Sequence, residues 1–262
     1  MQKTAVIVSG SLRHMSWAAT SWQFKNADYF LVVDESIQAA QSQTFIDSAY
    51  NQLPCNNIKF TSTCILASNA AIDENLLEKF PAHSTNVSVK MAFKWLVAYN
   101  QILAFNKNRN YNRIVLIRPD LYLWGAAEWP DMLCNFNTLP NTVHSVAGIS
   151  EDWNKDRNYP VMGDVLFVVD LETFEKLSGF YAYFLKNYNL IQQHRYDIHS
   201  LLPKFLTEHN IKVSGDLSPW LTFNVLRPNM EDCFDAHGLK QGLSPNVLIN
   251  KQQEWWKNKY GT

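Results

Sequence analysis

The chain has only four cysteines in 262 residues, Cys55, Cys64, Cys134 and Cys233, and they form no CxxC pair and no metal-ligand spacing. Neither a disulfide scaffold nor a zinc module is encoded, and buried thiols in a reducing compartment are the expectation. The GxGxxG and Walker signatures, the GxSxG elbow and HExxH are all missing. That sets aside the common dinucleotide, P-loop, serine-hydrolase and zinc-protease chemistries. An excess of one charge is missing too: 23 Lys and Arg against 24 Asp and Glu leave a net charge of −1. No general attraction to nucleic acid or to an acidic membrane follows from such a balance. The apolar part of "MQKTAVIVSG" is too short for a signal peptide or a membrane span and reads as a strand. A cytoplasmic location is therefore expected, and Asn86-Val87-Ser88 is read as a chance sequon. No repeat, low-complexity tract, Gly/Ser linker or shift of composition divides the chain.

What is present is a hydrophobic content of 47% with 18% charged residues and a heavy aromatic load of nine Trp, eleven Tyr and fifteen Phe. A chain of this kind has a sizeable core and is not disordered. "TAVIVSG" (4–10) and "ADYFLVVDES" (27–36) are continuous apolar runs, as central parallel strands require. "NNIKFTSTCIL" (56–66) alternates like a strand, and "RIVLI" (113–117), "TVHSVAGIS" (142–150) and "MGDVLFVVD" (162–170) add further strands. Helical composition falls at 38–53 and at 69–80, where Pro81 ends the run. From Val87 to Phe105, Ala92, Trp95, Leu96, Tyr99, Ile102 and Leu103 make one apolar stripe at helical spacing. "LETFEKLSGFYAYFLKNY" and "DIHSLLPKFLTEHN" predict two later helices, the second leading into the short strand "IKVSGDL". Strands separated by helices throughout predict an α/β fold with a mostly parallel sheet.

Ligands of such sheets gather at the carboxyl ends of the strands. That rule selects Ser9-Gly10, Asp34-Glu35, Arg118-Asp120 and, by proximity, Gly163-Asp164. In "SGSLRH" (9–14) small residues allow close backbone approach, and N–H groups with Arg13 suit a phosphate or a base; Arg13 as partner of a surface carboxylate is the alternative. In "RPDL" (118–121) a carboxylate suits a divalent cation and a guanidinium suits a diphosphate; the alternative is a structural Arg–Asp pair. Asp164, if buried, needs a partner, which makes it a candidate base or hydroxyl acceptor. Lys90 and Lys94 share a face near a helix start, where cations oppose the macrodipole; they either serve an anion or are simply solvated. The seven histidines are scattered. His144, His194 and His199 show no ligand spacing and are expected at the surface or satisfied in the core, while His237 could complete a cleft from the C-terminal side. "EWW" (254–256) is read as packing, with stacking on a sugar face as the alternative.

"AVIVSGSLRH", the helix "VKMAFKWLVAYNQI", "YNRIVLIRPDLYL", "MGDVLFVVDLETFEKL" and "DIHSLLPKFLTEHNIKV", in this order, resemble nucleotide-sugar glycosyltransferases of the GT-A type. The likeness, spanning residues 4–216, is to a bacterial and viral group with an SGxLR-like turn and RPDL in place of Asp-x-Asp. It implies a single Rossmann-like GT-A domain over 1–262, with the donor half in 1–125 and the acceptor half and C-terminal extension in 126–262. By the same resemblance Ser9, Gly10 and Arg13 hold the nucleotide, and Lys90 and Lys94 approach the diphosphate. Asp120 ligates Mn²⁺ or Mg²⁺, and Asp164 faces the acceptor or the transferred sugar. Arg118 stands where the first Asp of Asp-x-Asp would be and cannot bind a metal, so metal dependence is an open point of the comparison; Arg118 and the lysines could neutralise the diphosphate instead.

The implied activity is transfer of a hexose or pentose from a nucleotide-diphosphate donor, a UDP-sugar by preference, to a hydroxyl. A lipopolysaccharide or capsule glycan is the expected acceptor. The alternatives are a viral enzyme acting on a hydroxymethylated DNA base in the host cytoplasm, for which "KNRNYNR" (107–113) offers a small basic patch, and a non-catalytic nucleotide-sugar-binding module. Asp164 is the first choice as general base, with Asp152 or Glu151 as the second.

Overall fold

The computed structural model describes residues 3–11, 26–34, 60–66, 83–124, 129–146, 162–187, 198–217 and 222–225, with a few single positions such as 18, 22 and 24. The helices expected over 38–53 and 69–80, and the tail beyond 225, lie outside the described residues. The centre is a seven-stranded sheet. Its strands are β1 (Lys3–Ser11), β2 (Ala27–Asp34), β3 (Phe60–Leu66), β4 (Tyr111–Ile117), β6 (Thr142–Ser145), β7 (Leu166–Asp170) and β8 (Lys212–Ser214). They lie in the order β3-β2-β1-β4-β7-β6-β8. A separate two-stranded ribbon pairs β5 (Leu121–Trp124) with β9 (Thr222–Val225). The expected α/β architecture, a mostly parallel sheet flanked by helices, is present, with one reversal: β7 runs antiparallel to both β4 and β6.

Alternation along the strands builds two cores, because successive side chains of a strand face opposite sides of the sheet. Ala5 and Ile7 of β1 and Ile114 and Leu116 of β4 face one core. Val6, Val8, Val115 and Ile117 face the other. The first core is covered by α1 (His83–Arg109), α3 (Leu171–Ser178), α4 (Phe180–Lys186) and α5 (Ile198–Glu208), and the second by α2 (Trp129–Asn135) with Trp22, Leu121 and Leu123. The apolar stripe predicted on α1 is present but rotated slightly: Val89, Ala92, Trp95, Ala98 and Ile102 are buried, whereas Leu103 is exposed.

The single helix expected after β7 is two helices. Asp170 caps the start of α3, its carboxylate accepting from the Thr173 N–H at 2.7 Å, which satisfies one of the orphan donors of a helix N-terminus. The break comes at Ser178-Gly179, where the Ser178 hydroxyl bonds back to the Glu175 carbonyl at 2.6 Å. A Gly next to a back-bonding Ser is a common cause of such kinks. The kink lets Phe180 turn inward against Trp95, Tyr183, Phe184 and Phe205, with ring centroids 5.1 to 6.4 Å apart. Among the described residues no helix is long and apolar enough to cross a membrane.

Polar fastenings hold the opposite, amino edge of the sheet. Tyr111 Oη donates to the Asp28 carboxylate, which also pairs with Lys3 at 2.8 Å. Arg113 donates to the Cys134 and Phe136 carbonyls, closing the C-terminal end of α2, and its burial lowers the guanidinium pKa below the usual value. His144 is a satisfied core histidine, as expected: its Nε2 accepts from the Leu139 N–H at 3.1 Å and its Nδ1 meets Asp216 at 2.8 Å.

The carboxyl edge is shaped by one close approach. β1 and β4 are parallel neighbours with Val8 level with Ile117, so Gly10 and Pro119 project from them side by side. Gly10 has φ +153°, and a Cβ built on it would lie 2.7 Å from Pro119 Cδ. Both the backbone angle and the missing side chain are therefore required there.

Two predictions follow from this packing. Phe180→Ala should lower unfolding free energy by about 3–5 kcal/mol in denaturant titration, as expected for a fully buried aromatic ring. Gly10→Ala should destabilise by about 1–3 kcal/mol through strain and overlap. In Gly10→Ala/Pro119→Ala part of that loss should return, since alanine at 119 lacks the clashing Cδ; strict additivity in the double-mutant cycle would contradict the contact.

Candidate active site

Sheet order places the site. Leaving β1, the chain goes first to β2 and β3 on one side and then to β4 on the other, so the connections diverge between β1 and β4. A crevice at the carboxyl ends of strands opens at such a switch point. Ser9 and Gly10 end β1 there, and Arg118 follows β4. Because β7 is reversed, with Leu166 level with Ile117, it is its amino end that arrives at this edge. Asp164, two residues before β7, comes to the site by that reversal.

The chain leaves β4 through a tight turn, with the Leu121 N–H donating to the Arg118 carbonyl at 3.2 Å. Pro119 sits at the second position of the turn, where its fixed φ is favoured. The turn folds Asp120 back onto Arg118: Nε donates to Oδ1 at 2.9 Å and Nη2 to Oδ2 at 2.8 Å. This is a fork-on-fork pair, the structural alternative raised on the sequence. The third guanidinium nitrogen, Nη1, lies 3.6 Å from Asp164 Oδ1. Both carboxylates are buried, Asp120 at 2% and Asp164 at 7% exposure. Burial works against the charge on Arg118, yet hydrogen bonding to Asp120, the charge of Asp120 and then that of Asp164 outweigh it and raise the guanidinium pKa. One guanidinium serving two carboxylates leaves the group one negative charge in excess.

Two polar atoms at this edge, Ser9 Oγ and Asp164 Oδ1, are buried without a hydrogen-bond partner. A buried acceptor in that condition is costly unless a ligand completes it. α1 also passes this edge: it ends at Arg109, just before β4 starts at the amino edge, and starts at His83, so its N-terminal half extends past the carboxyl edge. Lys90 and Lys94 lie about two and three turns inside it, not near its start as expected. Lys90 is half-buried and Lys94 is 3% exposed, so the reading of both lysines as solvated does not hold for Lys94. The Ser88 hydroxyl accepts from the Ile198 N–H at 2.9 Å, tying the start of α5 to the same region.

One residue expected only at the surface or satisfied in the core, His199, lies in the first turn of α5 and joins this group. Its Nδ1 lies 3.0 Å from the Met162 carbonyl and 3.9 Å from Asp164 Oδ1. In return the Met162 N–H donates to the His199 carbonyl at 2.9 Å. That carbonyl is open to an outside donor because Pro203, four residues on inside α5, has no N–H to give it. A proline at that spacing is the one signal in the sequence that could have drawn attention to His199.

Of the expected residues, Ser9, Gly10, Arg118, Asp120 and Asp164 thus gather at one edge, with Lys90 and Lys94 on the helix that passes it. Arg13, Glu35, Glu151, Asp152, His194, His237 and the segment 254–256 lie outside the described residues. So does the side chain of Asp34. The metal-ligand role expected of Asp120 fits this arrangement poorly, because both of its oxygens accept from Arg118. Among the described residues no group of three or more His, Cys, Asp or Glu is placed to hold a metal ion.

No family model matches the sequence, and no curated protein matches it. Among solved structures, the chain is similar to mouse xyloside xylosyltransferase 1 in its apo form, with 11% sequence identity and a TM-score of 0.45 over 91% of this chain and 92% of that one. At that level of similarity no residue role and no activity carries over.

Proposed function

We propose that this chain is a glycosyltransferase of the GT-A type that moves a sugar from a nucleotide-diphosphate donor to a hydroxyl, with a saccharide as acceptor. The observation that carries the reading is the buried Asp164 oxygen, which has ion-pair neighbours but no hydrogen-bond partner, beside a carboxylate locked by Arg118, at the crevice where such folds take their ligands. A fixed acceptor-only oxygen calls for a hydroxyl donor, and sugars supply hydroxyls in arrays. The excess negative charge of the Arg118 group suits the sugar and not the diphosphate. In this reading the diphosphate lies toward the Ser9-Gly10 end of β1 and the stretch of α1 that carries Lys90 and Lys94, whose positive charges favour anions. Arg118 serves to hold the two carboxylates in register, a different task from neutralising the leaving group. A UDP-sugar is the preferred donor.

Calorimetry of the protein against UDP-, GDP- and CMP-sugars and the free nucleotides, with and without Mn²⁺, tests the reading. Binding of one nucleotide sugar is expected, and absence of binding by every donor and every nucleoside diphosphate would falsify it. Asp164→Asn should weaken the nucleotide sugar about 10- to 100-fold, the worth of a hydrogen bond to a charged group, while leaving affinity for the bare nucleoside diphosphate within a few-fold. Equal losses for both ligands would move Asp164 from the sugar to the nucleotide.

A further inference from the structure

His199 has no part in the roles assigned so far, yet its ring is the most accessible ionisable group of the cluster. The side chain is 36% exposed, against 4% for that of Asp164. The Met162 carbonyl oxygen can only accept, so the Nδ1 atom 3.0 Å away carries a proton. The tautomer is thereby fixed, and Nε2 is the basic nitrogen of the neutral ring. Asp164 Oδ1 lies 3.9 Å from Nδ1.

We propose that His199 is the general base of the transfer and that Asp164 is not. The inference rests on the glycosyltransferase reading and deepens it. The acceptor hydroxyl gives its proton to His199 Nε2 while its oxygen bonds to the anomeric carbon. The bond from that carbon to the diphosphate oxygen breaks, and its electron pair departs with the nucleoside diphosphate. One displacement of this kind inverts the anomeric configuration. The Met162 carbonyl holds the ring through Nδ1, and the reciprocal Met162 N–H to His199 carbonyl bond holds the backbone of α5 against the segment that carries Asp164. The charged group beside Asp164 is Arg118, and α1, which packs against α5, carries Lys90 and Lys94. Lys186 and Tyr183 belong to α4, which packs against α5 as well, and Tyr183 meets His209 at the far end of that helix.

The test compares wild type with His199→Asn, whose side-chain amide can still donate to the Met162 carbonyl but offers no base. With the donor found by calorimetry and a saccharide acceptor, His199→Asn should lower kcat by about 100-fold or more. Donor affinity and melting temperature should stay near wild type. A general base works only when unprotonated, so wild-type activity should fall as pH drops, and that acid limb should vanish in the variant. ¹⁵N NMR of the wild-type imidazole should show the Nδ1–H tautomer, and ¹H NMR should show a product of inverted configuration. Retention of configuration, an Nε2–H tautomer, or a variant with near-normal kcat and an unchanged acid limb would each overturn the assignment while leaving the glycosyltransferase reading intact. A wild-type protein that binds no donor overturns both, and the calorimetry identifies that case by itself.

Discussion

Two buried carboxylates and one guanidinium at the end of β4 set the terms for this molecule. Asp120 and Asp164 are withdrawn from water almost completely, and an ionised carboxylate alone in such a place costs several kcal/mol. Arg118 makes both tolerable at once, with two nitrogens on Asp120 and the third toward Asp164. That arrangement needs the chain to turn back directly after β4, which Pro119 arranges. The turn in turn presses Pro119 onto β1, where only a glycine at position 10 leaves room. Charge pairing, turn geometry and strand packing are therefore a single constraint spread over three segments.

The reversal of β7 belongs to the same constraint. Were β7 parallel to β4, Asp164 would enter at the amino edge, far from Arg118, and its charge would meet the polar fastenings around Asp28 and Arg113. Running antiparallel, the strand delivers Asp164 to the guanidinium and carries Asp170 to the other edge, where it caps α3. The two carboxylates that bracket β7 thus serve opposite ends of the sheet, one poised for a ligand and the other consumed in holding a helix.

Much of this could be read in the sequence, and the limits have physical causes. The apolar runs of β1, β2, β4 and β7 mark buried strands, because strands covered on both faces lose the alternation of polar and apolar residues. Such runs carry no sign of direction, so the reversal of β7 was not legible in "LFVVD". The Arg118–Asp120 pair was legible, being a contact between residues two apart across a proline. Ser9, Gly10 and Asp164 were reached by the rule for strand ends, although Asp164 satisfies it through an antiparallel strand. The packing neighbour of Gly10, Pro119, lies more than a hundred positions away and left no trace in the pattern of "VSGSLR". β5 and β9 were missed, since four-residue strands in a two-stranded ribbon have too few positions to show a period. His199 is tied to its neighbours by a backbone exchange with Met162, 37 residues distant, and composition records nothing of such a contact. Pro203 alone hints that a carbonyl one turn earlier needs an outside donor.

The charge of the cluster decides how the rest of the edge must be used. A nucleoside diphosphate brings negative charge, and a group with two carboxylates and one guanidinium repels it on balance. Attraction has to come from elsewhere: from backbone N–H groups at the end of β1, from the lysines of α1 or from a bound cation. Of these, Lys94 is a buried side chain of α1. In the proposed reading the site divides along its length, with the anion-binding groups at β1 and α1 and the hydroxyl acceptor Asp164 beside β7. A ligand that carries a diphosphate at one end and a ring of hydroxyls at the other matches both halves, whereas a simple phosphate or a free sugar would leave one half unmet.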